Sequence, residues 1–150
     1  IADKIDALNV PIYEKLNNGV YRAGFATSQE AYDEAITGIF DTLDRLESLL
    51  QGDYLFGDRL TETDIRVFVT LIRFDAAYHG LFKTNRLRIA DYPKLSAYME
   101  RILNLPGVID TVNMDHITHG YYSIKALNPL GIRPTGPAHI EKLLAAARGA

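Results

Sequence analysis

The side chains that could do chemistry in this chain are phenols and imidazoles, because its 150 residues include no cysteine. That excludes a disulfide framework, a Cys-ligated metal, a haem-thiolate site and a thiol nucleophile within these residues. Tyr21 comes two residues after Asn17-Asn18-Gly19, which reads as a helix stop, and Tyr121-Tyr122 is expected to run out beyond the short helix that Asp115 opens, so that these aromatics stand in irregular segments. A pocket for an aromatic ring with polar substituents needs flat apolar walls and a few hydroxyl or imidazole groups to meet those substituents. Tyrosine supplies wall and hydroxyl in one side chain. Arg22 and Phe25 flank Tyr21 as further lining residues. His79 closes a buried helix from which it could reach such a pocket, although the helix dipole alone favours a histidine at that end. His116 and His119, three residues apart, could share a helix face for a metal. No cysteine or clear third ligand accompanies them, so no metal is expected.

The elements that must position these groups are helices. Leu60-Thr61-Glu62-Thr63-Asp64-Ile65 forms a complete helix-start signal: the Thr61 side chain can accept the N–H of Asp64 while Asp64 reaches back to the N–H of Thr61, with Leu60 stapled on Ile65. The helix it opens, through Phe68, Leu71, Ile72 and Phe74 to His79, is apolar nearly all round and should run through the middle of the domain. Arg66, Arg73 and Asp75 inside it are expected to pair with Asp64 in a buried network. Ahead of it, Ile5, Leu8, Ile12 and Leu16 recur at helical spacing, with Pro11 as a kink or fresh start. Ser28 caps a long amphipathic helix with the stripe Tyr32, Ala35, Ile36, Ile39, Phe40, Leu43, Leu46 and Leu50, stopping at Gly52. The charges Asp41, Asp44, Arg45 and Glu47 read as its solvated face. Pro93 suits the first turn of a helix carrying Leu95, Tyr98, Met99 and Ile102. Asp115 is expected to cap the next helix, which holds His116, Ile117, His119 and Tyr121. Residues 128–137, rich in Pro and Gly, must be looped or extended before a last helix through Leu143 and Leu144.

Composition narrows the classes further. A chain of 150 residues with 47% hydrophobic content is one ordinary domain able to fold without staples. A net charge of -3 and a pI near 5.8 carry no footprint for nucleic acid, and no apolar run approaches the roughly 18 residues that span a bilayer. A soluble cytoplasmic protein with neither nucleic acid nor membrane as partner is expected. The chain begins Ile1-Ala2-Asp3, without an initiator Met or a signal segment, and so reads as a piece of something longer.

The signal at Thr61–Asp64, followed by Asp91-Tyr92-Pro93-Lys94-Leu95 and Leu103-Asn104-Leu105-Pro106-Gly107-Val108, resembles the all-α C-terminal helical bundle of glutathione transferases. Asn17 through Ala26, Arg73 through Gly80 and the Asn128-Pro129 to Gly136-Pro137 tail resemble the xi class, the glutathionyl-hydroquinone reductases. Thr84 departs from that pattern, which has a cysteine there, and Pro11 interrupts a first helix that the pattern leaves whole. The resemblance implies a two-domain, dimeric enzyme that uses glutathione as co-substrate on a small aromatic thioether. Its thioredoxin-like N-terminal domain, absent from this chain, binds glutathione and supplies the nucleophilic cysteine. It also implies that Tyr21 and Tyr122 contact the substrate from one concavity, with Tyr121, Phe25 or His79 nearby and no catalytic residue in the chain itself. The rival class is a non-catalytic helical interaction module, since transferase-like domains also serve as assembly domains in translation complexes. A Cys-Pro motif upstream would separate the two. A free-standing ligand carrier would require this chain to be the whole natural product.

Overall fold

Helix α1 (Ala2–Pro11) opens a computed structural model that describes residues 2–149. Pro11 does not break the helix. The coil widens after it into a π-helical segment, Ile12–Asn17, closed by a bond from Asn18 N–H to the Tyr13 carbonyl at 2.9 Å. Proline lacks an N–H and its ring displaces the carbonyl four residues back, so a wider turn lets the coil continue. Leu8, Ile12 and Leu16 stay buried along one side. Asn17-Asn18-Gly19 is likewise no stop, because α2 (Gly19–Gly24) starts at once and puts Tyr21 on a helix. The Asn17 amide is used elsewhere: it donates to the Arg66 carbonyl at 3.1 Å and to Thr70 Oγ1 at 2.5 Å, tying this corner to the helix that carries both residues.

Helix α3 (Gln29–Leu49) begins where Ser28 Oγ accepts the N–H of Ala31 at 3.1 Å, and its apolar stripe is buried from Ala35 to Leu46. Its charged face is only partly given to solvent. Glu47 receives the N–H groups of Lys94 and Leu95 on its two oxygens, at 3.0 and 2.8 Å, and Asp44 Oδ1 receives the Tyr92 hydroxyl at 3.1 Å. Helix α6 (Pro93–Leu103) has no capping side chain of its own, and Pro93 has no N–H, so Glu47 satisfies the free donors of its first turn from a neighbouring helix.

Helix α4 (Glu62–Arg73) passes into a second π-helical segment, Phe74–Tyr78, and the short α5 (His79–Leu81). The capping box forms, and Asp64 does more than close it. Its side chain is fully buried and accepts from Thr61 N–H at 2.7 Å, Thr61 Oγ1 at 3.2 Å, Leu55 N–H at 3.1 Å and the Tyr98 hydroxyl at 2.7 Å. The expected network linking Asp64 to Arg66, Arg73 and Asp75 does not exist. Eleven residues of helix put Asp75 about 16 Å further along the axis, and Arg66 stands on the opposite face. Arg66 pairs with Glu62 in solvent, Arg73 donates to the Val69 carbonyl at 2.8 Å, and Asp75 takes the N–H groups of Ile89 and Ala90 at 2.7 and 3.2 Å and His139 Nε2 at 2.8 Å. Nor is α4 buried all round: Ile65 and Val69 are about two-fifths exposed, as is Leu60, the residue expected to staple on Ile65.

Helix α7 (Met114–Tyr122) is capped by Asn113, whose Oδ1 accepts the N–H of His116 at 3.1 Å, and not by Asp115. Residues 128–137 run irregularly over the surface to α8 (Ala138–Ala147), whose Ile140 and Leu144 dock on the core. Thr84 is fully buried with its hydroxyl unpartnered. Among the described residues the fold is helices, turns and one isolated bridge between Tyr54 and Gly57, and no helix is long and apolar enough to cross a membrane.

One close approach sets the position of the Tyr21 helix. A Cβ on Gly24 would lie 2.2 Å from Cδ1 of Phe82, a fully buried ring. Gly24→Ala is expected to cost about 2 to 3 kcal/mol, read as a lowered midpoint of thermal unfolding, because neither the ring nor the helix has room to yield. A midpoint equal to that of the parent chain would show that α2 moves freely against Phe82.

Candidate functional site

Three tyrosines meet by their hydroxyls where α2, the second π segment and α7 converge. Tyr21 Oη lies 2.5 Å from Tyr121 Oη, although the two are 100 residues apart, and Tyr78 Oη lies 2.7 Å from the same atom. Phe82 backs the cluster. Its ring stacks on Tyr78 with centroids 5.3 Å apart and planes at 9°, and it meets Tyr21 at 5.3 Å and Phe25 at 5.7 Å. Tyr78 and Tyr121 cross edge to face at 5.1 Å, the arrangement their ring quadrupoles favour.

The cluster forms one wall of a cleft of about 520 Å³ between the first π segment and α4, with Tyr13, Val69, Arg66 and Arg73 on its other sides. A larger cleft of about 820 Å³ lies between α2 and α3. It holds Phe25 and one side of Tyr21 but neither of the other tyrosines. Burial, and then the bond to Tyr121, raises the Tyr78 phenol far above its ordinary value. Burial pushes Tyr121 up to about 12, with its bond to Tyr21 next in importance. Both are neutral donors at physiological pH. The arrangement can hold and polarise oxygens of a ring or an anion, but it contains no nucleophile.

Tyr122 does not join this site. Successive helical residues point about 100° apart, and on α7 that step takes Tyr122 out of the cleft that Tyr121 lines. The Tyr122 hydroxyl sits beside Gly80, 2.9 Å from where a Cβ there would be, and its ring lines a separate hollow of about 310 Å³ with His119, Lys125 and Arg133. The structure brings Tyr21 together with Tyr121 and Tyr78, and places Tyr122 apart from them. His79 is half-buried on the side of Asp91 and lines none of these clefts. Phe25, at the end of α2, is 47% exposed and reaches the cluster only through Phe82. His116 and His119 are exposed, and among the described residues no three of His, Asp and Glu gather as metal ligands. Sequence reasoning missed Tyr78 and Phe82. Their spacing of four, which pairs aromatics on one helix face, was the available signal.

Residues 29–101 match the family described as glutathione S-transferase, C-terminal domain. The chain belongs to the glutathione transferase family, as its all-helical C-terminal domain. Its fold superposes on the xi-class enzyme of Phanerochaete chrysosporium with a TM-score of 0.90 at 45% identity, over 93% of this chain and 48% of that one. It also superposes on the glutathione-bound form of YqjG from Escherichia coli K-12 at 0.88 and 52%, over 90% and 45%. In sequence it is 56% identical over 137 residues to the glutathionyl-hydroquinone reductase PcpF of Sphingobium chlorophenolicum, covering 90% of this chain and 44% of that protein. These likenesses place it in the xi class. The chain spans less than half the length of the curated relatives it matches.

Proposed function

We propose that this domain is the aromatic-substrate half of a glutathione-dependent reductase that removes glutathione from glutathionyl-hydroquinones. A cysteine thiolate of a thioredoxin-like N-terminal domain attacks the glutathionyl sulfur. The ring reacts as its keto tautomer, a hydroxyl proton having moved to the sulfur-bearing carbon, so the carbon–sulfur electron pair passes through the carbonyl onto a ring oxygen as a phenolate, which then takes a proton from solvent. A second glutathione then resolves the mixed disulfide to give oxidised glutathione. This chain contributes no thiol to that sequence. Its part is to hold the ring and to donate hydrogen bonds to the oxygen that gains charge. The cytoplasm and a homodimer complete the reading, both on resemblance.

The observation that carries the proposal is the meeting of Tyr21, Tyr78 and Tyr121 in a cleft rimmed by Arg66 and Arg73. Tyr13 and Val69, exposed by 56% and 42%, border the same cleft and offer an apolar seat for the catalytic domain. In the two-domain enzyme Tyr21→Phe should lower kcat/KM by up to about tenfold, the worth of one hydrogen bond, while Tyr122→Phe stays near the parent value. The chain alone should show no turnover of a glutathionyl-hydroquinone above that in buffer with glutathione. Turnover by the isolated chain, or full activity in Tyr21→Phe together with loss in Tyr122→Phe, would overturn the assignment.

A further inference from the structure

The three phenols differ in what is left for their protons to do. Tyr78 is 3% exposed, and its hydroxyl has one hydrogen-bond partner, Tyr121. Tyr121 has two partners, Tyr78 and Tyr21. Tyr21 is 40% exposed and borders the cleft. Each hydroxyl carries one proton and can accept from others. If the chain ran inward, from Tyr21 to Tyr121 to Tyr78, the last proton would be buried without an acceptor. That penalty disfavours the inward order by about fivefold or more. Run outward, every buried proton is satisfied: Tyr78 donates to Tyr121, Tyr121 donates to Tyr21, and the Tyr21 proton is free at the cleft. Cooperative polarisation along such a chain strengthens its last donor.

The surroundings agree with that direction. Among the described residues the cleft is lined by the cations Arg66 and Arg73 and by no carboxylate, although Arg66 also pairs with Glu62 outside it. Arg73 lies close enough to Tyr121 to favour negative charge there. We infer that Tyr78, Tyr121 and Tyr21 form a one-way hydrogen-bond relay that fixes Tyr21 as an outward donor, so that the cleft selects a phenolate oxygen over an ether or other weak acceptor of the same shape. Tyr78, which touches no ligand in this scheme, is a positioning residue for the Tyr21 proton. This rests on the reading that the cleft takes the substrate ring, and it adds to that reading the charge state of the ring oxygen the site prefers.

Binding of 4-nitrophenolate and of 4-nitroanisole to the protein carrying this domain tests the relay without recourse to turnover. The parent should bind the phenolate more tightly than the ether. Tyr78→Phe, which keeps the stack on Phe82, should weaken phenolate binding about two- to tenfold, return the absorption maximum of the bound phenolate towards its value in water, and leave the ether unchanged. Tyr121→Phe cuts the same chain and should act in the same direction, which covers the case in which the Tyr78 variant folds poorly. Tyr21→Phe should abolish the preference altogether. If Tyr21→Phe removes the preference while Tyr78→Phe and Tyr121→Phe leave it intact, the relay is overturned and the cleft remains the ring site. If Tyr21→Phe changes neither ligand, both the relay and the cleft as ring site fall.

Discussion

Asp64→Ala lowers the stability of the domain by about 3 to 5 kcal/mol, against the roughly 5 to 15 kcal/mol that hold an ordinary domain folded. The cause is the number of donors that lose their acceptor at once. The N–H groups of Thr61 and Leu55 and the Tyr98 hydroxyl all terminate on this fully buried carboxyl group, and each buried donor left without a partner costs about 1 to 3 kcal/mol before relaxation. Thr61→Ala should cost only about 1 kcal/mol, the ordinary worth of a helix cap, because Thr61 keeps its N–H bond to Asp64. Asp64→Asn should fall between the two. An amide presents one oxygen and two donors, and can satisfy either the Thr61 side or the Leu55 and Tyr98 side, but not both. Urea unfolding of the three variants, compared at an unchanged m value, measures the order. A cost for Asp64→Ala as small as that for Thr61→Ala would mean that the carboxyl group serves only as a cap.

Raising the pH above 10 should unfold the domain steeply. Burial raises the phenols of Tyr98 and Tyr78 well above their ordinary value of 10.0, with Asp64 next for Tyr98 and Tyr121 next for Tyr78. Below pH 10 these groups are protonated in the folded and unfolded chain alike, and their contribution is fully present. Above it the unfolded chain loses protons that the folded chain retains, so stability falls as pH rises from 10 through the folded values. Each such tyrosine removes about 1.4 kcal/mol per pH unit, and the two together about 3. Tyr92, raised by burial and by Asp44, steepens the fall. Urea midpoints should therefore be level between pH 7 and 9 and collapse between pH 10 and 12. Tyr98→Phe should flatten the decline by about 1.4 kcal/mol per unit while lowering stability at pH 7, where the hydroxyl bond to Asp64 is lost. An equal slope in the variant and the parent would show that Tyr98 ionises freely in the folded state.

The fold was legible in the sequence wherever a local rule sufficed. Ser28 capping α3, the box at Thr61 and Asp64, Pro93 in a first turn and the stripes of α3 and α6 are interactions within four residues of chain. Local geometry decides them before any tertiary contact forms. The readings that needed correction are the ones where a neighbouring element overrode local preference. Pro11 and Asn17-Asn18-Gly19 look like breaks, yet tertiary packing carries the coil through both, by a π turn at the first and by the Asn17 bonds to α4 at the second. Glu47 looks like surface charge until α6 presents its open N-terminus.

The site divides along the same line. Residue types and motif resemblance alone pointed to a thiol-free helical domain with Tyr21 and the Tyr121-Tyr122 pair as its chemical groups, because composition and local motifs are properties of the chain itself. Which of the two adjacent tyrosines meets Tyr21 was decided by the fold. On α7 they point about 100° apart, and only the docking of that helix against the second π segment turns Tyr121, and not Tyr122, toward a partner 100 residues away. Tyr78 enters the cluster for the same reason. Five consecutive residues of that segment are buried because neighbouring elements cover the helix on more than one side. Periodicity reports which residues share a face of one helix, but the angle and distance at which two helices pack are set by side chains on both, and only that packing brings three hydroxyls within hydrogen-bond reach.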